Sequence, residues 1–245
     1  MSHRLFVDAP LAAGAELVLP PDVSRHAQVL RLQPGDALHL FNGLGGQWQA
    51  QVLSMGRQSV SVSVLAHEVL ASELPRRVTL ALGMPANDRM DALVEKATEL
   101  GVDSIQPLHT SRSVLRLSGE RAEKRCAHWQ AVAVAASEQS GRERVPHIAP
   151  VRQLADWLAA LPTAEALAQR WLLSFAPDGQ PPAQRLAAAA PQAPVLALSG
   201  PEGGLDPQEE ALARQCGFAP VSLGPRTLRA DTAPLVALSW IGLQA

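Results

Sequence analysis

The run VLALSGPEGGLDPQEEALARQCGFAPVSLGPRTLRADTAPLVALSW (195–240) holds the same local order twice: a short apolar strand, a glycine-rich loop, then a helix. A tight hairpin joins only antiparallel strands, whereas a helical crossover joins parallel ones. The pattern therefore selects an α/β class with a parallel sheet. It also implies two loops at the carboxyl ends of neighbouring strands, where open α/β sheets take their ligands. Asp206, Pro207 and Glu209 read as a helix start, with a cap, a first-turn proline and a reciprocal capping carboxylate. Pro234 is compatible with the last helix only in its first turn.

The upstream chain repeats the alternation. RRVTLALGMP predicts a strand, and NDRMDALVEKATELG a helix with Met90, Leu93, Val94, Ala97 and Leu100 at helical spacing. Asn87 or Asp88 can cap that helix, and Gly101 can end it. VDSIQPL is the next strand, a long helix runs from about Ser118 to Ser140, and QLADWLAAL and RWLLSFA predict a helix and a strand. Residues 1 to about 70 differ: short apolar runs separated by turn residues (QPGD, NGLGG), with strict alternation in SVSVSVLAHEV. That rhythm predicts a small β-barrel interrupted by one helical turn near SRHAQVLRL. The expected division is a β-barrel over 1–72 and an α/β domain over 73–245.

Of 245 residues, 47% are hydrophobic and 18% charged, enough apolar surface for a full core. No run of 18 apolar residues exists, and MSHRLFVDAP lacks a signal-peptide core. Cys126 and Cys216 are far apart and the seven His are scattered, so no metal site and a cytoplasmic protein are expected. Neither a Walker A loop, a G-x-G-x-x-G nor a G-x-S-x-G elbow is present. Net charge is −2, yet 19 of the 21 basic residues are Arg, so placement of arginine is more informative than its number. HTSRSVLRLSGERAEKR (109–125) admits two readings, a phosphate-contacting stretch or a solvated helix face with internal ion pairs. Trp129, Trp157, Trp171 and Trp240 are expected in the core.

LGPRTLRADTAP (223–234) raises a sharper question, because two arginines and an acid share one Gly/Pro loop. It can grip an anion or line a cofactor pocket. GPEGG presents Glu202 and suits close backbone approach to a neutral or cationic ligand, or a tight structural turn.

These motifs together resemble the ribosomal RNA small-subunit methyltransferase E family of the SPOUT superfamily. GPEGGLDPQEEALARQCGFAPVSLGPRTLRADTA is similar to its C-terminal signature, MDALVEKATELGVDSIQPLHTSRS and WQAVAVAASEQSGRERVPHI to its central blocks, and RLFV, RHAQVLRLQPGD and FNGLGGQWQA to its N-terminal domain. The resemblance covers nearly the whole chain in order. It implies a PUA-like RNA-binding barrel, an α/β trefoil-knot domain that binds S-adenosylmethionine, a homodimer, and methylation at N3 of one uridine in 16S ribosomal RNA. By the same resemblance, Leu198, Gly200, Pro201, Glu202, Gly203 and Gly204 form one cofactor segment. Leu223, Gly224, Pro225, Leu228 and Arg229 form the other. Arg4, His26 and Arg31 are implied to face RNA from the barrel, joined by Arg112 and Arg116 from the basic stretch. The chain departs from the family at Ala230-Asp231, where Thr-Glu is usual, at Thr227, where Ile or Val is usual, and at Ala86-Asn87, where Lys-Gly is common.

Uridine N3 carries a proton and is weakly nucleophilic until it leaves. The reaction therefore needs a base and a cation for the oxyanion. Asp231 is the candidate base, with Arg229 or Arg226 facing the carbonyl oxygens or a phosphate; Asp231 can equally cap the final helix. A methyltransferase of another RNA position and a non-catalytic RNA-binding protein are the alternatives.

Overall fold

A computed structural model describes residues 3–86, 89–162, 169–190 and 192–244. The expected caps Asn87 and Asp88 lie outside the described residues. The chain divides into two compact units, 1–73 with 134–145 and 74–133 with 146–245.

The first unit contains β1 (His3–Phe6), β2 (Glu16–Val18), α1 (Pro21–Val29), β3 (Ala37–Phe41), β4 (Gln47–Met55) and β5 (Val60–Glu68). They form a five-stranded mixed sheet in the order β1-β3-β4-β5-β2, in which only β1–β3 is parallel. The alternation read in β5 is real: Val60, Val62 and Val64 are buried, and Ser61 and Ser63 are half-buried between them. These valines join Leu5, Leu38, Leu40 and Val52 in one core. Each such side chain contributes about 1.5–3 kcal/mol on burial.

Residues 134–145, which the sequence pattern assigns to the second part, belong to the first unit. Glu73 explains the return: it pairs with Arg142 at 2.5 Å and accepts the N–H of Glu143 and of Arg144, both at 3.1 Å. The change of unit falls inside a continuous helix, where composition shows no break.

Arg4 corrects an expectation in the same unit. Its Nε donates to Gln47 (2.9 Å), Nη1 to the Ser137 carbonyl (2.9 Å) and Nη2 to the Arg142 carbonyl (2.8 Å), and the guanidinium lies 4.3 Å from the Phe41 ring centroid. Burial pushes its pKa down from the usual arginine value. Arg4 is thus a strut inside the unit, not a free contact for RNA. Its two backbone acceptors are more than 130 residues away in sequence and Gln47 is 43 away, so local pattern could not reveal them. Arg4→Ala removes three hydrogen bonds from a charged donor and is expected to cost about 2–3 kcal/mol in urea unfolding. RNA affinity of the folded fraction should be unchanged.

The second unit runs β6 (Val78–Gly83), α2 (Arg89–Glu99), β7 (Ser104–His109), α3 (Gly119–Ser140, whose last turns fall in the first unit), β8 (His147–Ile148), β9 (Arg152–Gln153) and α4 (Leu154–Ala159). It continues with β10 (Gln169–Leu173), α5 (Pro182–Ala187), β11 (Val195–Ser199), α6 (Pro207–Gln215), β12 (Ala219–Val221) and α7 (Thr232–Gly242). The sheet order is β12-β10-β11-β6-β7-β8, every pair parallel, with β9 also on β7. Near-continuous burial of β6 and β11 is what a parallel sheet covered on both faces demands. Trp157 and Leu158 of α4 and Ala213 of α6 meet Ala81, Leu172 and Leu198 of the strands; α7 packs on β11 and α2. Trp129, Trp157 and Trp171 are buried as expected, whereas Trp240 is half-buried.

One topological expectation fails. The two glycine-loop strands, β11 and β12, are not neighbours, because β10 lies between them. Strand order depends on where each crossover lands, which no local periodicity records.

Candidate active site

A cleft of about 590 Å³ opens at the carboxyl ends of β10, β11 and β12. Three loops line it: Leu173–Ala176 after β10, Ser199–Leu205 after β11, and Thr227–Ala230 with Ala233 before and in α7. Arg89, Arg112 and Glu210 complete the wall. A smaller cavity of about 50 Å³ adjoins it and shares Leu173, Phe175, Leu228 and Ala233.

The first glycine loop is a tight turn in which Gly204 N–H donates to the Pro201 carbonyl at 2.8 Å. Gly204 has φ +68°, a conformation that glycine adopts without strain. Gly200 is required for a different reason: a Cβ there would stand 2.7 Å from Gly204 C and Leu205 N. Glu202 turns toward the start of α2, accepting from the Ala86 N–H (3.0 Å) and Arg89 Nη1 (3.2 Å). The helix that follows carries the capping box read from the sequence. Asp206 accepts the Glu209 N–H at 2.8 Å, and Glu209 accepts the Asp206 N–H at 3.0 Å. The Glu209 N–H, and after it the Ser111 side chain, hold the Asp206 carboxyl below its ordinary pKa.

The second loop divides between the two cavities. Leu228, Arg229, Thr227 and Ala230 line the main cleft, while Leu223, Gly224 and Arg226 line the smaller one. Pro225 lines neither, and Leu198 is fully buried in β11, behind the loop it leads into. Arg226 and Arg229 are exposed. Asp231 stands at the N-terminus of α7 but makes no capping bond, since its backbone is already helical (φ −80°, ψ −26°). Its Oδ1 is buried with no hydrogen-bond partner. Asp231 lines neither cavity.

The residues expected to meet RNA are scattered. His26 is exposed, with Nδ1 3.8 Å from Glu138, and Arg31 is exposed in the left-handed region at φ 57°. Arg112 and Arg116 lie together after β7, but both bond to protein carbonyls: Arg112 to Gly203 (2.7 Å) and Leu205 (3.3 Å), Arg116 to Ser111 (3.1 Å). In the helical part of the basic stretch, Lys124 pairs within α3 with Glu120 (3.4 Å), while Arg125 reaches Asp91 of α2 (3.8 Å). The sequence pattern missed the β10 loop, where Phe175 is 67% exposed and lines both cavities. Its signal was the turn Pro177-Asp178-Gly179, which marks the end of a strand that stops at Leu173.

With this geometry in view, residues 72–242 match the family described as RNA methyltransferase domain, and residues 19–65 match the RNA methyltransferase PUA domain. The ribosomal RNA small subunit methyltransferase E of Synechocystis sp. is 35% identical over 98% of this chain and 77% of its own length. That of Bacillus subtilis is 31% identical over 91% and 88%.

The chain belongs to the ribosomal RNA small subunit methyltransferase E family.

A solved member from Neisseria gonorrhoeae, crystallised bound to S-adenosyl methionine, has 31% identity and a TM-score of 0.90 over all of this chain and 98% of that one. The residues of this family member suit such a ligand. The cleft is within the roughly 300–1,000 Å³ range of small-molecule sites. A Cβ at Gly204 would meet nothing within 4 Å, and Leu173, Phe175, Leu205 and Leu228 offer apolar walls. Among the described residues no cluster of His, Cys, Asp or Glu could hold a metal ion, and no helix is long and apolar enough to cross a membrane.

Proposed function

We propose that this chain methylates N3 of a specific uridine in 16S ribosomal RNA of the small subunit, with S-adenosylmethionine as donor. The observation that carries the reading is the cleft at the ends of β10, β11 and β12, with the Gly200–Gly204 turn and Arg229 on its wall and Asp231, which itself lines neither cavity, two residues further along the chain from Arg229. Bound S-adenosylmethionine supplies a methyl group already activated on a sulfonium. The protein's own task is to exclude water, align the uracil and manage one proton.

Asp231 takes the N3 proton as methylation proceeds. Arg229, exposed on the cleft wall, offsets the negative charge that spreads onto the uracil carbonyl oxygens, and Arg226 stands by the smaller cavity. Gly200–Gly204 and Leu223–Leu228 hold the cofactor through backbone groups and apolar contacts, so no phosphate cradle is needed. N3 lies on the pairing edge, so the target uridine reaches the cleft unpaired. The PUA-like part presents His26 and Arg31 to RNA, and the α/β part carries the transferase. The enzyme works in the cytoplasm as a homodimer, with Val236 of α7 and the adjoining Leu243 offering apolar surface to the second copy.

N3-methyluridine cannot pair, so reverse transcriptase stops at it. A strain lacking the gene is expected to lose one stop in 16S RNA, and this chain to restore it. An unchanged stop pattern sinks the proposal.

A further inference from the structure

The segment after β7 is tied to the cofactor cleft by side chains that the reaction does not use. Ser111 places both its N–H and its hydroxyl on the Glu209 carboxylate, at 2.7 and 3.1 Å. The same carboxylate closes the capping box of α6. Next to it, Arg112 sends one nitrogen, Nη1, to the carbonyls of Gly203 (2.7 Å) and Leu205 (3.3 Å). Its methylene stem lies on Gly203, where a Cβ would stand 3.2 Å from Arg112 Cδ and 3.3 Å from its Cβ. The arginine thus spans the glycine turn from outside while lining the cleft. Gly203 and Gly204 have little intrinsic stiffness, because glycine loses more conformational freedom on ordering than any other residue. An external brace offsets that loss.

We infer that Arg112 is a positioning residue for the cofactor: it holds Gly203–Leu205 in the binding shape, with Ser111 and Glu209 anchoring its own segment to α6. The inference rests on the proposed function, since it names what shapes that same site. It reassigns an arginine that charge patterning alone would give to RNA phosphates.

Calorimetric titration of the full chain with S-adenosylmethionine, without RNA, tests it. Arg112→Ala is expected to raise the Kd about tenfold or more, the effect of losing hydrogen bonds from a charged donor. Affinity for 16S RNA and its dependence on salt should not change. Arg112→Lys should restore most of the cofactor affinity, because both bonds leave from one nitrogen and an ammonium has three donors. Ser111→Ala, which keeps the backbone tie, should raise the Kd by only about two- to fivefold. If Arg112→Ala fails to fold, Arg112→Gln carries the same test with a neutral, shorter side chain whose amide does not reach both carbonyls.

A cofactor Kd unchanged in Arg112→Ala overturns the inference. Weakened RNA binding with a salt slope smaller by about one, at an unchanged cofactor Kd, overturns it in favour of a phosphate contact. If the unsubstituted chain does not bind S-adenosylmethionine, the proposed function falls and takes this inference with it. Normal binding by that chain beside an unaffected Arg112→Ala removes this inference alone.

Discussion

Gly200→Ala is expected to weaken S-adenosylmethionine binding by about a hundredfold, the scale on which a displacement of one ångström disables a site. The added methyl would lie 2.7 Å from two backbone atoms of the same turn, Gly204 C and Leu205 N, and neither can rotate away as a side chain would. The turn must open, and the cleft wall from Ser199 to Leu205 moves with it. Gly200 does not have a positive φ, so alanine meets no backbone strain of its own and the sheet should stay folded. Gly83→Ala is the companion, since its methyl would meet Pro201 Cδ at 2.6 Å from the opposite side. Calorimetry for the ligand and urea unfolding for the fold separate the two effects. A cofactor Kd within about threefold of the parent would show that the turn relaxes freely and that the cradle is not what shapes the site.

The second large effect belongs to Asp231→Asn. Asparagine keeps the size and planarity of the side chain but cannot take a proton. Single-turnover methylation should slow by about 10²- to 10⁴-fold, the usual contribution of a positioned general base. Cofactor and RNA affinities should remain within about threefold, since Asp231 makes no capping bond whose loss would disturb α7. Rapid mixing of saturated complexes with quench and mass analysis reads the rate. A near-parental rate excludes the proton-accepting role. Asp231→Glu adds a sharper comparison: it keeps a carboxylate, so the longer side chain should sustain methylation where Asn does not.

Much of this arrangement was legible locally. The Asp206–Glu209 box, the strand-loop-helix alternation and the alternating valines of β5 depend on neighbours within a few residues, and each was found where the pattern placed it. Arg4 and Arg112 were not legible in this way. Both look like free cations in sequence, yet each spends its donors on carbonyls about 90 to 140 residues away. Asp231 shows the converse: a residue that reads as a helix cap keeps one carboxylate oxygen unpaired.

The amino-acid order alone determined the kinds of element, their caps and turns, and the class of the second unit, because these follow from hydrogen bonds and side-chain spacing over short distances. The tertiary structure decided three things that no short segment encodes. It inserted β10 between the two glycine-loop strands and so brought Phe175 to the cleft. It returned residues 134–145 to the first unit through Glu73 and Arg142. It turned Arg112 onto the backbone of Gly203 and Leu205. Each outcome rests on partners distant in sequence, chosen by where buried polar groups could be satisfied once the chain was packed.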